Sequence, residues 1–279
     1  MANLVLLTDF GNREHFVAAM KGVALCVSQD ISIFDITHEI EPFNIWEASL
    51  VLANTLPFWP PGTVFVAVVD PGVGTLRKSL VCRIGQEQII ICPDNGLLTF
   101  LLEKNNNAEI RKIDEEVHKR PGSDNYHTFH GRDLYVYFGA RLAAGMMHFD
   151  DSGPLLTNDI ILLDYQNARL TNNQTIEGTI MKVEQPFGNL VTDISNRLLK
   201  DLFKQKEISD LYVQIRHDNQ LKYKHRIPFV KSFGYVGNLS ALAYSDSSGL
   251  LGLAIRTDSF AKKYGIHFGK SWKITISID

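Results

Sequence analysis

The segment Val66–Lys78, VAVVDPGVGTLRK, ends an apolar strand-like run on a carboxylate, Asp70, and turns through two glycines to a guanidinium, Arg77. The later segment His127-Thr-Phe-His-Gly-Arg-Asp133 places an imidazole, His130, just ahead of a helical pattern. A carboxylate accepts hydrogen bonds, a guanidinium only donates them, and an imidazole does either. Brought to one place, the three can orient a water molecule. Taken singly, each has a plainer reading. Asp70-Pro-Gly-Val-Gly-Thr75 lacks the Gly-Lys-Ser/Thr ending of a phosphate loop and no helix pattern follows it, so alone it is equally a tight turn. Arg77 alone is equally a surface arginine. His127 and His130 have HxxH spacing without a third ligand at comparable spacing, so no metal is expected.

Two more segments set polar groups at turns. Pro93-Asp-Asn-Gly-Leu97 puts Asp94 and Asn95 at a strand-to-helix turn, a common place for both residue types. Gln185-Pro-Phe-Gly-Asn-Leu190 sets a flat apolar face, Phe187, beside the paired donor and acceptor of Asn189. That combination suits a purine by stacking and edge recognition, and equally suits a plain hairpin turn.

The elements that must position these groups alternate in the first half. Strands are expected at Leu4–Leu7, Ile31–Phe34 and Val64–Val69, with Leu80–Ile84 and Gln88–Cys92 paired around Gly85-Gln-Glu. Helices are expected at Glu14–Val27, Asn44–Thr55, Gly96–Glu103 and Gly131–Ala144. The second helix has Asn44 as its cap and Glu47 three residues on, as in a capping box. Alternating strands and helices predict an α/β domain with a mixed, mostly parallel sheet. Three apolar strands end on Asp9, Asp35 and Asp70, at the edge where such sheets bind ligands. Beyond Thr175 the pattern becomes short strands, at Thr175–Val183, Leu190–Asp193, Leu211–Ile215, Leu221–Arg226, Leu239–Tyr244, Leu250–Ala254 and Trp272–Ile278. Only Asn196–Phe203 and Ser259–Tyr264 read as helical there. This predicts an all-β barrel or sandwich. The expected domains are residues 1–165 and 175–279, joined by a polar linker at 166–174.

Composition bounds the function. The chain has 279 residues and a formal net charge of -3, with no basic stripe, which argues against a general nucleic-acid binder. Lys222-Tyr-Lys-His-Arg226 alternates and reads as the solvated face of a strand. Cys26, Cys82 and Cys92 have no CxxC spacing and read as buried, reduced thiols of a cytoplasmic protein. The start of the chain reads as a first strand rather than a signal peptide, and no apolar stretch is long enough to span a bilayer.

Seven ordered motifs together resemble one family. They are Leu7-Thr-Asp-Phe-Gly11, Met20-Lys-Gly22, Asp35-Ile-Thr-His38 with Pro42-Phe43, Val68-Val-Asp-Pro-Gly-Val-Gly-Thr75, Pro93-Asp-Asn-Gly-Leu-Leu-Thr99, Phe129-His-Gly-Arg-Asp133 and Phe187-Gly-Asn-Leu190. The chain resembles the S-adenosylmethionine hydrolases, also called hydroxide adenosyltransferases, which are related to the nucleophilic fluorinase and chlorinase. The resemblance implies an α/β N-terminal domain, a C-terminal β-barrel, and a homotrimer with active sites at subunit interfaces. It implies S-adenosylmethionine as substrate, adenosine and methionine as products, and no separate cofactor. It assigns the hydrolase Asp-Arg-His set to Asp70, Arg77 and His130. It implies Asp9 on the ribose hydroxyls, Phe43 flanking the ligand, and Phe129 and Gly131 beside the reacting carbon. Phe187 and Asn189 would take the adenine, helped by backbone near Arg256 and Thr257, and Ser247 the methionine part. Glu14 and Glu184 stand where the family usually has Asp, and Glu184 is the counterpart of the residue that meets the methionine amino group. Two rivals stay open: a halogenase on the same fold, and a non-catalytic sensor of adenosine or S-adenosylmethionine.

Overall fold

The computed structural model describes residues 2–278 except 86, 106, 124, 126, 158, 173 and 204–208. The chain divides into two compact units, Met1–Leu163 and Asp164–Asp279.

The first unit contains β1 (Ala2–Thr8), α1 (Phe16–Val27), β2 (Ile31–Thr37), α2 (Ile45–Thr55), β3 (Val64–Val68), β4 (Ser79–Ile84) and β5 (Gln88–Pro93). Then come α3 (Thr99–Lys104), β6 (Glu109–Lys112), the single turn α4 (Glu115–His118), α5 (Tyr137–Ala143) and β7 (Leu155–Leu156). The sheet order is β2-β1-β3-β5-β4-β6-β7. The first four of these strands run parallel, and β4, β6 and β7 pair antiparallel. Every residue of β3 is buried, as a strand covered on both faces requires. Leu4, Leu6, Val64 and Val66 share a core with Met20 and Ala24 of α1 and Phe138 of α5. Gly139 lets α5 lie close, because a Cβ there would sit 2.7 Å from Val66 Cγ2. On α2 and α3, Trp46 and Phe100 meet edge to face at 4.9 Å, and Ser49 Oγ accepts from Phe100 N.

Several expectations are corrected. β2 continues to Thr37, so Asp35 lies inside a strand and not at its end. Asn44 does cap α2 by accepting from Glu47 N, but Glu47 Oε2 accepts from Glu41 N, so the reciprocal half of the box is made one loop earlier. The expected helix at Gly131–Ala144 opens as a π-helical turn, Gly131–Val136, before α5. Gln86, in the expected turn between β4 and β5, lies outside the described residues. Cys26 is exposed, whereas Cys82 and Cys92 are buried. Among the described residues, no helix is long and apolar enough to cross a membrane.

The second unit holds β8 (Arg169–Asn172), β9 (Thr175–Glu184), β10 (Asn189–Ser195), α6 (Asn196–Phe203), β11 (Asp210–His217) and β12 (Gln220–Pro228). It continues with β13 (Ala241–Ser245), β14 (Leu250–Ile255), α7 (Phe260–Tyr264) and β15 (Trp272–Ser277). Strand β8 pairs with β9 inside the segment read as a linker, of which Asn173 lies outside the described residues. The antiparallel order β12-β11-β15-β9-β10-β14-β13 nearly closes on itself, because Phe229 bridges Ala243 and Val230 N donates to Ala243 O at 2.9 Å. Alternation with period two sends Leu211, Val213 and Ile215 of β11, and Trp272, Ile274 and Ile276 of β15, into one core.

Asp193 of β10 sets a carboxyl in the same sheet. It accepts from Thr179 N at 2.7 Å, yet burial pushes its carboxyl up to about 6. The folded-state value lies above the ordinary one, so its contribution to stability is fully present at low pH and is lost as pH rises through about 6. In urea unfolding, wild-type stability relative to Asp193→Asn should rise by about 2 kcal/mol on going from about pH 7 to about pH 4.5. Parallel pH profiles would assign the titration to another group.

Candidate active site

The carboxyl ends of β1 and β3 bring Asp9 and Asp70 to one cleft of about 310 Å³. Phe10, Phe16, Phe43, Phe129, His130 and Gly131 also line it. Asp9 Oδ2 accepts from Phe43 N at 2.9 Å. Burial pushes the Asp9 carboxyl up, the Phe43 amide opposes this, and the nearby Asp70 charge adds to it. Phe43 sits at φ 68°, a strained conformation for an aromatic residue, and its ring is exposed. Asp35, expected at the same edge, instead pairs with Lys21 at 2.5 Å and with His38 at 3.1 Å. Glu14 is exposed on the loop before α1 and is not among the lining residues.

Asp70, Arg77 and His130 do come together. Arg77 Nε donates to both oxygens of Asp70, at 2.9 and 3.0 Å. Nη2 donates to Asp70 Oδ2 at 2.5 Å and contacts His130 Nδ1 at 3.0 Å, which uses both of its hydrogens. Nη1 donates to Ser79 Oγ at 2.9 Å and has Glu115 Oε1 3.6 Å away. The side chains of Arg77 and Asp70 are only 7% and 5% exposed, so this pairing is largely out of water. Arg77 does not line the cleft; Asp70 and His130 do. The guanidinium stands behind the cleft lining as a brace on Asp70 and His130.

The brace fixes a tautomer. A guanidinium cannot accept, so His130 Nδ1 is the acceptor and the ring hydrogen of the neutral form lies on Nε2. Burial pushes His130 below the usual histidine range; Glu115 opposes this, Arg77 and Lys119 add to it, and Asp70 opposes it. The site thus favours a neutral imidazole with its hydrogen on Nε2, beside a carboxylate with lone pairs to spare.

The local chain explains the placement. His130 precedes the π turn, a wider helical turn of the kind often found at functional sites. Gly131 leaves room there, since a Cβ would stand a tight 3.2 Å from the Phe10 ring and 3.4 Å from Phe129. Phe129 packs edge to face on Phe10 and Phe16, at 5.8 and 5.4 Å. The Arg132 guanidinium already lies 4.9 Å from the Phe129 ring centre. Phe43 is thus the more open aromatic surface for a cationic ligand.

The second unit carries a separate cleft of about 810 Å³, lined by Glu184, Phe187, Asn189, Ser247 and Thr257, and also by Lys231, Phe233, Tyr244 and Asp246. Phe187 is exposed, while Asn189 is buried at the start of β10 with its Nδ2 3.4 Å from Glu184 Oε2. Gly188 permits this turn, because a Cβ would fall 1.9 Å from Ser259 Oγ. Thr257, at φ 63°, is a second strained residue at a cleft wall. Arg256 does not line the cleft; its N donates to Ser240 O, its O accepts from Leu239 N, and Nη1 donates to Val236 O. Among the described residues, no group of three His, Cys, Asp or Glu is placed to hold a metal.

The family model of the SAM (S-adenosylmethionine) hydroxide adenosyltransferase N-terminal domain matches residues 4–153, and that of the C-terminal domain matches residues 178–273. The chain belongs to the SAM hydroxide adenosyltransferase family. This adenosyltransferase-family chain is 35% identical to a Methanocaldococcus jannaschii protein named (R)-S-adenosyl-L-methionine hydrolase, over 95% of its own length and 92% of the relative's. It is 26% identical to a fluorinase of Actinopolyspora mzabensis, over 98% and 97%. The fold superimposes on a crystal structure of an uncharacterized conserved protein from Thermotoga maritima with a TM-score of 0.87 at 32% identity, covering 99% and 100% of the two chains.

Sequence reasoning missed Ser79, Glu115 and Tyr135, which stand behind Arg77. Ser79 was findable: two residues past Arg77 at a strand start, it falls on the same side of the chain. Removing the guanidinium would leave Asp70 buried without its cation. Arg77→Ala should destabilise the protein by about 3–5 kcal/mol, and adding Asp70→Asn should return part of that loss in urea unfolding. A loss below about 1 kcal/mol would mean that water screens the pair.

Proposed function

We propose that the protein hydrolyses S-adenosylmethionine to adenosine and L-methionine. The observation that carries this reading is the pair of groups at the first cleft: Asp70 as acceptor and His130 Nε2–H as donor, both held by a buried Arg77. The relatives named as hydrolases support it.

The sulfonium substrate needs no acid, because its leaving group is a neutral thioether. It needs a water placed in line with the carbon–sulfur bond and shielded from competing solvent. In this reading His130 donates to the water oxygen and Asp70 accepts from it. The oxygen bonds to the 5′ carbon, the C–S bond breaks with its electron pair going to sulfur, and Asp70 takes the proton before passing it to solvent. The oxygen becomes strongly acidic only as the new bond forms, so a carboxylate suffices as a late acceptor. Arg77 acts through both partners without touching the water. Asp9 takes the ribose hydroxyls and Phe43 faces the cation. Phe187, Asn189, Thr257, Glu184 and Ser247 take the adenine and methionine ends, with Glu14 a further acidic group for the latter. The two clefts that serve one substrate come from neighbouring subunits of a homotrimer. No cofactor enters the reaction.

Purified protein incubated with S-adenosylmethionine in oxygen-18 water should yield methionine and adenosine labelled at the 5′ oxygen. Unlabelled adenosine would remove direct water attack, and 5′-chloroadenosine on adding chloride would make the protein a halogenase. Adenosine bound without turnover would make it a sensor.

Arg77→Ala should lower kcat by about 100-fold or more, with a smaller change in KM. Because the neutral imidazole is the working form, wild-type kcat should fall only as pH drops below the ordinary histidine range. Wild-type turnover in Arg77→Ala would remove the brace from the mechanism. A kcat that rose on acidification would remove the neutral imidazole.

A further inference from the structure

The Arg77 guanidinium is held from behind as well as in front. Ser79 Oγ lies 2.9 Å from Arg77 Nη1, 2.6 Å from Glu115 Oε1 and 3.0 Å from the Tyr135 hydroxyl. A carboxylate only accepts, so Ser79 gives its single hydrogen to Glu115. Tyr135 is fully buried and burial pushes its phenol up, so it stays protonated and donates to Ser79. Arg77 Nη1 fills the other lone pair of Ser79. Every hydrogen in this cluster then has one position, and Glu115 at one end sets the direction.

Glu115 is also close to His130. The two share a second, polar cleft of about 380 Å³ with Thr75, Glu116, Lys119 and His127. The charged groups acting on the His130 imidazole are Glu115 from α4, Arg77 from the loop before β4, Lys119 after α4 and Asp70 after β3, and His127 shares the second cleft from the imidazole's own loop. Among them the Glu115 charge is the largest influence favouring the protonated ring.

We propose that Glu115 is a positioning residue for the reaction. Through Ser79 it fixes the Arg77 guanidinium, and with it the Nε2–H tautomer of His130. Its charge, at the wall of the second cleft, balances the cations that face that imidazole. The kinetic part rests on the hydrolase reading; the effect on His130 does not.

Three variants separate the two actions. Glu115→Gln keeps an acceptor for Ser79 and removes the charge. Glu115→Ala removes both. Ser79→Ala keeps the charge and cuts the relay. Nitrogen-15 NMR of the imidazoles, titrated with pH, reads the tautomer and protonation of His130 without turnover. Initial rates across pH with S-adenosylmethionine read kcat and KM.

Glu115→Ala should lower kcat on the order of tenfold to 100-fold with KM within about twofold, and Glu115→Gln should recover part of it. In both, His130 should titrate at lower pH than in the wild type, and the acid limb of kcat should move down with it. Ser79→Ala should lower kcat while His130 titrates near the wild-type pH. Full kcat in Glu115→Ala, or a loss of kcat with the His130 titration unmoved, would overturn the proposal. If the wild type released no adenosine, the hydrolase reading would fall, and the NMR titration would still decide whether Glu115 governs His130.

Discussion

A buried guanidinium has five N–H groups and tolerates few of them unpaired. That requirement organises the N-terminal site. Arg77 reaches Asp70 after β3, Ser79 two residues on at the start of β4, and His130, remote in sequence, before the π turn. Each partner is held by this one cation, so the reactive face at the cleft is a by-product of satisfying a group behind it. In the proposed reaction, water entering the cleft would meet Asp70 and His130 already oriented and need not organise them itself. Preorganisation of this kind lowers the reorganisation required at the moment of reaction.

The fold supplies the convergence. Parallel pairing of β1 with β3 places Asp9 and Asp70 at one edge, and the close approach of α5 through Gly139 brings the π turn over the same end of the sheet. The second unit builds its cleft differently. A tight turn through Gly188 against Ser259 presents Phe187 outward and buries Asn189. Both clefts carry a residue in a left-handed conformation, Phe43 in one and Thr257 in the other. Such backbone costs about 1–3 kcal/mol and persists only where its surroundings hold it; for Phe43 the holding contact is the Asp9 carboxylate.

Much of this was legible in the sequence. The alternating elements of the first half and the short strands of the second follow from hydrophobic period alone, and the Asp70, Arg77 and His130 motifs that were read together do meet in space. What was not legible depends on tertiary context. β6, β7 and β8 are short edge or near-edge strands with too few residues to show a period. Asp35 looked like a strand end because β2 turns polar before its ladder stops. The backbone partners of Arg256 could not be read because sequence does not reveal which groups a neighbouring segment takes. For Arg77, spacing showed a cation near the site, and only the hydrogen-bond geometry showed which partners most of its donors take.

A network with one hydrogen arrangement has few neighbours in sequence space. Lysine at position 77 would have a single nitrogen for partners that now contact three. An asparagine at 70 or a second donor at 130 would set two hydrogens against each other. On the proposed mechanism, single steps away from this arrangement would pass through proteins that lose both stability and activity. If the set handles water as proposed, a lineage that exchanged water for another nucleophile would have to replace these residues as a block.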